Sequence, residues 1–224
     1  MTIAERLQAV KDTLPDNVEL VAVSKYHPVE ELMEAYDSGQ RLMGENIVQE
    51  LRTKQPLMPQ DVKWHFIGHL QTNKVKYIAP YVTLIHSVDS YHLLEEINRQ
   101  AQRCGRVIDC LLQLHVAQEE TKYGFSPREC LDMLRSQPWS TLSGVRLCGV
   151  MCMASNVDDT EHVRSDFRNA NDVFNEIKED FFNNSPHFCI RSWGMSHDYR
   201  IAIDEGSNMV RVGTAIFGER NYGL

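Results

Sequence analysis

The stretch Val18-Glu-Leu-Val-Ala-Val-Ser-Lys25-Tyr-His-Pro28 decides how the rest of the chain is read. Its apolar run reads as a buried strand, and Lys25 stands at the strand's C-terminal end. Directly after Pro28, the apolar residues Val29, Leu32, Met33 and Tyr36 recur at helical spacing, and Gly39 supplies the stop. Strand, charged corner, amphipathic helix: this is one βα unit.

Working outward, the same alternation returns along the chain. Strands are expected near 19–24, 41–45, 63–67, 83–87, 107–116, 145–152, 188–193 and 209–212, with helical patterns between them. Ser90 opens a helix carrying Leu93, Leu94, Ile97 and Ala101 on one face and closing at Gly105. Ser126-Pro127-Arg128-Glu129 is a capping box with proline in the first helical turn. The longest helix is expected over 160–182, with Val163, Phe167, Ala170, Phe174, Ile177 and Phe181 as its buried stripe. Eight βα units in one chain predict a single (β/α)8 TIM barrel occupying residues 1–224 as one domain. A doubly wound open sheet would alternate in the same way, but neither G-x-G-x-x-G nor G-x-x-x-x-G-K-[ST] occurs.

Composition narrows the function. A net charge of −8 without a Lys/Arg-rich block argues against nucleic acid or an anionic membrane as partner. The N-terminus mixes charge with helical spacing and has no signal-peptide h-region, so a cytoplasmic location is expected. The six scattered cysteines read as reduced, small core residues. Cys148 and Cys152 fall in a strand, where their spacing makes no compact zinc pair, so no metal site is expected.

In a barrel the C-terminal strand ends converge on one mouth. That brings Lys25 together with Asn46, His69, Ser196, Arg211, Gly213 and Thr214, which follow or end other strands. A half-desolvated lysine amine attacks a carbonyl to form a Schiff base, and a cofactor aldehyde is the natural partner. The last two loops form the recurrent phosphate site of this architecture: Gly213 admits the backbone, and the Ser196 and Thr214 hydroxyls donate. Ser196 is also read as opening a helical stretch favourable to an anion. A guanidinium such as Arg211 beside a pyridine nitrogen keeps that nitrogen unprotonated and weakens the ring as an electron sink. Of the remaining histidines, His65 is read as a hydrogen-bonded strand residue out of phase with the inward set. His27 and His197 are read as rim residues.

Val21-Ala-Val-Ser-Lys25, Gly44-Glu-Asn-Ile-Val-Gln-Glu50, Trp64-His-Phe-Ile-Gly-His-Leu-Gln-Thr-Asn-Lys74, Gly194-Met-Ser196 and Met209-Val-Arg-Val-Gly-Thr-Ala-Ile-Phe-Gly218 together resemble the YggS/PROSC family of pyridoxal phosphate homeostasis proteins, nearly end to end. The resemblance implies an alanine racemase N-terminal type of barrel carrying pyridoxal 5′-phosphate (PLP, a vitamin B6 cofactor) on Lys25. It further implies Arg211 at the pyridine nitrogen and Ser196, Gly213 and Thr214 at the phosphate, with Asn46 and His69 near the mouth. Lys122, in a Lys-x-Gly turn, and Met153, beside the ring, are weaker matches.

The expected role is intracellular PLP homeostasis as carrier, buffer or regulator, affecting amino-acid and keto-acid pools, without a committed reaction. PLP-dependent apoenzymes are the implied protein partners. The alternative is a PLP-dependent amino-acid racemase. Racemisation needs acid/base groups on both faces of the substrate, and in alanine racemases the second is a tyrosine of a further domain. Here the sequence offers Tyr222, two residues from its end, so at most a weak racemase-like side activity and a monomer are expected. A third possibility, a barrel kept only as an interaction module, is opposed by Lys25, Arg211 and Thr214.

Overall fold

A computed structural model of the chain describes residues 1–117 and 123–219, so Lys122 and Tyr222 lie outside the described residues. Eight parallel strands close into a barrel in sequence order: β1 (Glu19–Val23), β2 (Leu42–Glu45), β3 (Lys63–Phe66), β4 (Leu84–Val88), β5 (Ile108–Leu114), β6 (Val145–Cys152), β7 (Ile190–Ser192) and β8 (Met209–Val212). Pairing of Val21 with Arg211 and of Ala22 with Val212 joins the first strand to the last. The expected (β/α)8 barrel is therefore the observed fold, and the open sheet is excluded by that closure.

Strand alternation divides the apolar residues into two layers. Val21, Leu84, Leu111, Cys148, Met151 and Met209 pack together inside the barrel. Leu20, Ala22, Met43, Trp64, Phe66, Val210 and Val212 belong instead to the larger core between sheet and helices. The helix ends follow the sequence signals: Glu129 N–H donates to Ser126 Oγ at 3.2 Å, and Ser126 N–H donates to Glu129 Oε2 at 2.8 Å. Ser90 Oγ accepts from Leu93 N–H at 3.2 Å.

The long helix runs over Thr160–Phe182 and buries Val163, Phe167, Ala170, Phe174 and Ile177. Each large apolar side chain so buried contributes roughly 1.5–3 kcal/mol. At its last turn Phe182, and not Phe181, is the buried residue, because its ring stacks on Phe188 at 4.1 Å and lies against Trp139 at 5.0 Å.

Three other expectations are corrected. His65 belongs to the inward set of β3: it is buried with its ring bonded to His86 on the neighbouring strand β4, while the larger Trp64 and Phe66 take the roomier sheet–helix layer. Cys104 and Cys189 are exposed, one capping a helix and the other preceding β7, so only four of the six cysteines are core residues. Ser196 does not open a helix; it sits in a turn before the short helix Tyr199–Asp204, whose N-cap is Asp198. Among the described residues, no helix is long and apolar enough to cross a membrane.

Candidate functional site

The C-terminal strand ends surround a cavity of about 370 Å³, within the range of small-molecule sites. Lys25, Asn46, Ser196, Arg211, Gly213 and Thr214 all line it, as do His69 and Met153. Residues from β1, β2, β3, β6, β7 and β8 therefore meet where the barrel topology requires. Close backbone approach makes part of this possible: a Cβ on Gly68 would lie 2.3 Å from the Asn46 carbonyl oxygen, so only glycine brings these two strand ends together.

The described lining residues include Lys25, Arg211 and the imidazole of His69, and no carboxylate. Val23, Ile67, Met153 and Met195 supply apolar walls. A flat, anionic molecule with a carbonyl complements that surface: apolar contact for a ring, positive charge for its anion, and an amine within the same cavity.

Arg211 is buried at 4% exposure, and its guanidinium donates to the Ser192 carbonyl and Ser192 Oγ, each at 2.6 Å, and to the Cys152 carbonyl at 2.9 Å. Burial pulls its pKa below the ordinary arginine value. Behind it a polar chain crosses the lumen: Ser192 Oγ to His86 Nδ1 at 3.0 Å, then His86 Nε2 to His65 Nδ1 at 3.0 Å. β4 and β7 are not neighbours in the sheet, so the His86–Ser192 bond spans the interior. Desolvation pushes His65 down to about 3 and His86 well below the usual imidazole range, the latter helped by His65 and Arg211. Both rings are neutral at pH 7, which leaves Arg211 as the only cation of this chain of groups.

Beyond Arg211, where the same two strands end, Gly213 N–H donates to Ser196 Oγ at 3.2 Å, linking the turn after β7 to the end of β8. Gly194, at φ +94°, starts that turn, and a Cβ there would lie 2.6 Å from the Ala202 Cβ. Asp198 closes the turn by accepting from Met195 N–H. Thr214 is exposed on the first turn of the helix Thr214–Phe217. Two hydroxyls and the backbone N–H groups around Gly213 thus border one side of the cavity.

His69 Nδ1 lies 3.0 Å from Asp89 Oδ2, and its ring stacks on Tyr123 with centroids 3.7 Å apart. His27 is buried against Phe217 and bonded to Glu31 at 2.8 Å, away from the cavity, while His197 is exposed. Sequence reading missed Gln113 and Tyr123, which line the cavity, and His86 and Ser192, which support Arg211. A signal existed for two of them: Gln113 and His86 are isolated polar residues at inward positions of otherwise apolar strands.

Taken together, a closed eight-stranded barrel with a lysine ending its first strand and an arginine on its last defines the alanine racemase N-terminal domain class, whose family model matches residues 1–221. Within that class the chain belongs to the YggS/PROSC family of pyridoxal phosphate homeostasis proteins. It is 40% identical over 204 residues to the pyridoxal phosphate homeostasis protein of Aquifex aeolicus, covering 91% of this chain and 87% of that one. The Schizosaccharomyces pombe protein of the same name is 40% identical over 208 residues, covering 91% and 85%. PipY of Synechococcus elongatus, solved without PLP, superposes with a TM-score of 0.89 at 36% identity, covering 97% of this chain and all of that one (100%). A second PipY structure has PLP bound and superposes at 0.86 with 35% identity, covering 97% of this chain and 100% of that one. An alanine racemase of Clostridium difficile shares the fold at a TM-score of 0.76 with 14% identity, covering 100% of this chain and 60% of that one.

Proposed function

We propose that this chain is a cytoplasmic, monomeric, single-domain PLP-binding protein acting in intracellular PLP homeostasis, as carrier, buffer or regulator, and through PLP on amino-acid and keto-acid pools. The cofactor is held as a Schiff base on Lys25, with Arg211 at the pyridine nitrogen and Ser196, Gly213, Thr214 and Asn46 around its polar groups. The observation that carries this reading is the pairing of Lys25 and Arg211 in one cavity whose described lining holds no carboxylate. The PLP-bound PipY structure and the names of the relatives support it. The unpaired cysteines suit a reducing compartment.

When bound, PLP supplies an electrophilic aldehyde. The chain's own residues then do simpler work. Lys25 provides the nucleophile, Arg211 donates to the ring nitrogen and keeps it unprotonated, and the turn around Ser196 and Gly213 binds the anion. Such a site retains its cofactor without driving carbanion chemistry. Apoenzymes that need PLP are the recipients in this reading. Racemisation is the competing reading, favoured by the barrel shared with alanine racemases.

Borohydride treatment of PLP-loaded protein followed by peptide mass mapping is expected to place the reduced adduct on Lys25. Lys25→Ala should abolish it, and an adduct on another lysine would overturn the assignment. Racemisation of common amino acids is expected not to exceed the Lys25→Ala background; turnover lost in that variant would establish the enzyme reading.

Ser196→Ala should keep the Lys25 adduct but weaken PLP binding about tenfold, the worth of one charge-assisted hydrogen bond. Equilibrium titration of the two proteins checks this, and equal affinities would remove Ser196 from the phosphate site.

A further inference from the structure

Behind Lys25, on the side away from the cavity, lies a cluster of charged groups that the cofactor reading does not use. Lys54, the last residue of the helix Val48–Lys54, is buried at 5% exposure. Its ammonium donates to Glu45 Oε1 at 2.7 Å, to Glu50 Oε1 at 2.6 Å and to the Ser24 carbonyl at 2.7 Å. An ammonium has three donors, and all three are engaged. Ser24 Oγ adds a bond of 2.6 Å to Glu45 Oε1.

The cluster grips the backbone on either side of Lys25. The Ser24 carbonyl precedes it, and the N–H of Tyr26, which follows it, donates to Glu50 Oε1 at 2.6 Å. Tyr26 has φ +65°, the one left-handed non-glycine residue among those described. A tyrosine in that conformation costs roughly 1–2 kcal/mol, so the corner persists only because other contacts hold it.

The cluster is not an economical way to stabilise a barrel. Glu45 is fully buried, its Oε2 has no hydrogen-bond partner, and burial together with Glu50 pushes its pKa up to about 7. Apolar residues of similar volume would stabilise such a position as well or better. Buried charge and backbone strain therefore coincide at the two peptides that flank one side chain.

We propose that Lys54, with Glu45 and Glu50, is a positioning device that locks the strained corner at Tyr26 and thereby aims the Lys25 amine into the cavity. The inference rests on the reading that Lys25 bonds the cofactor. The step it serves joins Lys25 Nζ to the aldehyde carbon and releases the carbonyl oxygen as water. Misplacing a nucleophile by about 1 Å lowers its rate by on the order of a hundredfold. Loss of the clamp should consequently slow bond formation while leaving intact the binding of ring and phosphate by the ends of β7 and β8, which the clamp does not touch.

The test compares wild type, Lys54→Met/Glu45→Gln, which removes the buried cation and a buried carboxylate together, and Glu50→Ala, which frees the Tyr26 N–H from a partly exposed side chain. Circular dichroism reports folding. Two ligands separate positioning from support: PLP, followed by the rate of borohydride-trapped adduct at Lys25, and pyridoxine 5′-phosphate, which lacks the aldehyde, followed by calorimetric affinity. The expected result is an adduct rate lowered about tenfold or more, with pyridoxine phosphate affinity changed less than about threefold. An unchanged adduct rate in either folded variant would overturn the proposal, as would an equal loss for both ligands. Should the double variant not fold, Glu50→Ala decides alone. A wild type with no adduct at Lys25 would instead sink the cofactor assignment itself, and is distinguished by that control.

Discussion

Acidification from pH 6.5 to 4.5 is expected to remove about 3 kcal/mol of folding stability from the protein without added PLP. The cause is the pair of buried neutral histidines inside the barrel. Burial pushes the His65 imidazole down to about 3 in the folded state and that of His86 well below its usual value, whereas both take up a proton near 6.5 once unfolded. The unfolded chain then binds more protons, so stability falls as pH falls. Glu45 opposes them. Its folded pKa of about 7 exceeds the ordinary carboxyl value of 4.5, so between those values the folded state holds a proton that the unfolded state lacks. Its contribution grows on acidification and is lost as pH rises through about 7.

Two histidines against one carboxyl leave a net difference of one proton, worth about 1.4 kcal/mol per pH unit. Below about 4.5 the unfolded Glu45 is protonated too, and the slope should double. Urea unfolding at a series of pH values measures this directly. His65→Gln, which keeps a hydrogen-bonding partner for His86, should flatten the curve between 4.5 and 6.5. A flat wild-type curve there would mean that one of the histidines is charged inside the barrel.

Among the described glycines, Gly149→Ala should be the most damaging substitution. Gly149 pairs with Ile190 between β6 and β7 at a point where the β5–β6 register shifts. Its φ is +154°, and a Cβ there would lie 1.9 Å from the Ile190 carbonyl oxygen. Neither partner can yield, because both are backbone within the sheet. A loss of about 4 kcal/mol or more is expected, lowering the melting temperature by on the order of 10 °C, or no accumulation of folded protein. Gly39→Ala is the control: φ is +86°, but nothing lies within 4 Å, so only the left-handed backbone cost of roughly 1–2 kcal/mol applies. Comparable melting temperatures for the two variants would show that β6 and β7 separate readily.

The same glycine shows how sequence and structure divide the account. Strand positions were legible because apolar runs alternate with capped helices, and the long helix lies where its spacing placed it. What could not be read was the irregularity at Gly149, which lets Cys148 and Met151 both face the barrel interior although strict alternation would separate them. His65 was misjudged for a related reason. Periodicity identifies two faces of a strand but does not say which one meets the narrow lumen, and here the larger Trp64 and Phe66 go to the helix layer.

The candidate site divides in the same way. Lys25, Asn46, Ser196, Arg211, Gly213 and Thr214 were all marked by their place at strand ends or by family motifs, and all six meet at one cavity. Lys54 gave no signal, because a lysine at the end of a helix looks like a dipole-compensating surface charge.

By itself, then, the order of residues determined the barrel, its family and the side chains at its mouth, since these follow from local periodicity and from a topology that gathers every strand end on one face. Only the tertiary structure decided that Lys54 reaches back under Lys25 and that His86 and Ser192 stand behind Arg211. Those contacts join residues 30, 106 and 19 positions apart. Their strength comes from exclusion of water, which no local pattern of residues records.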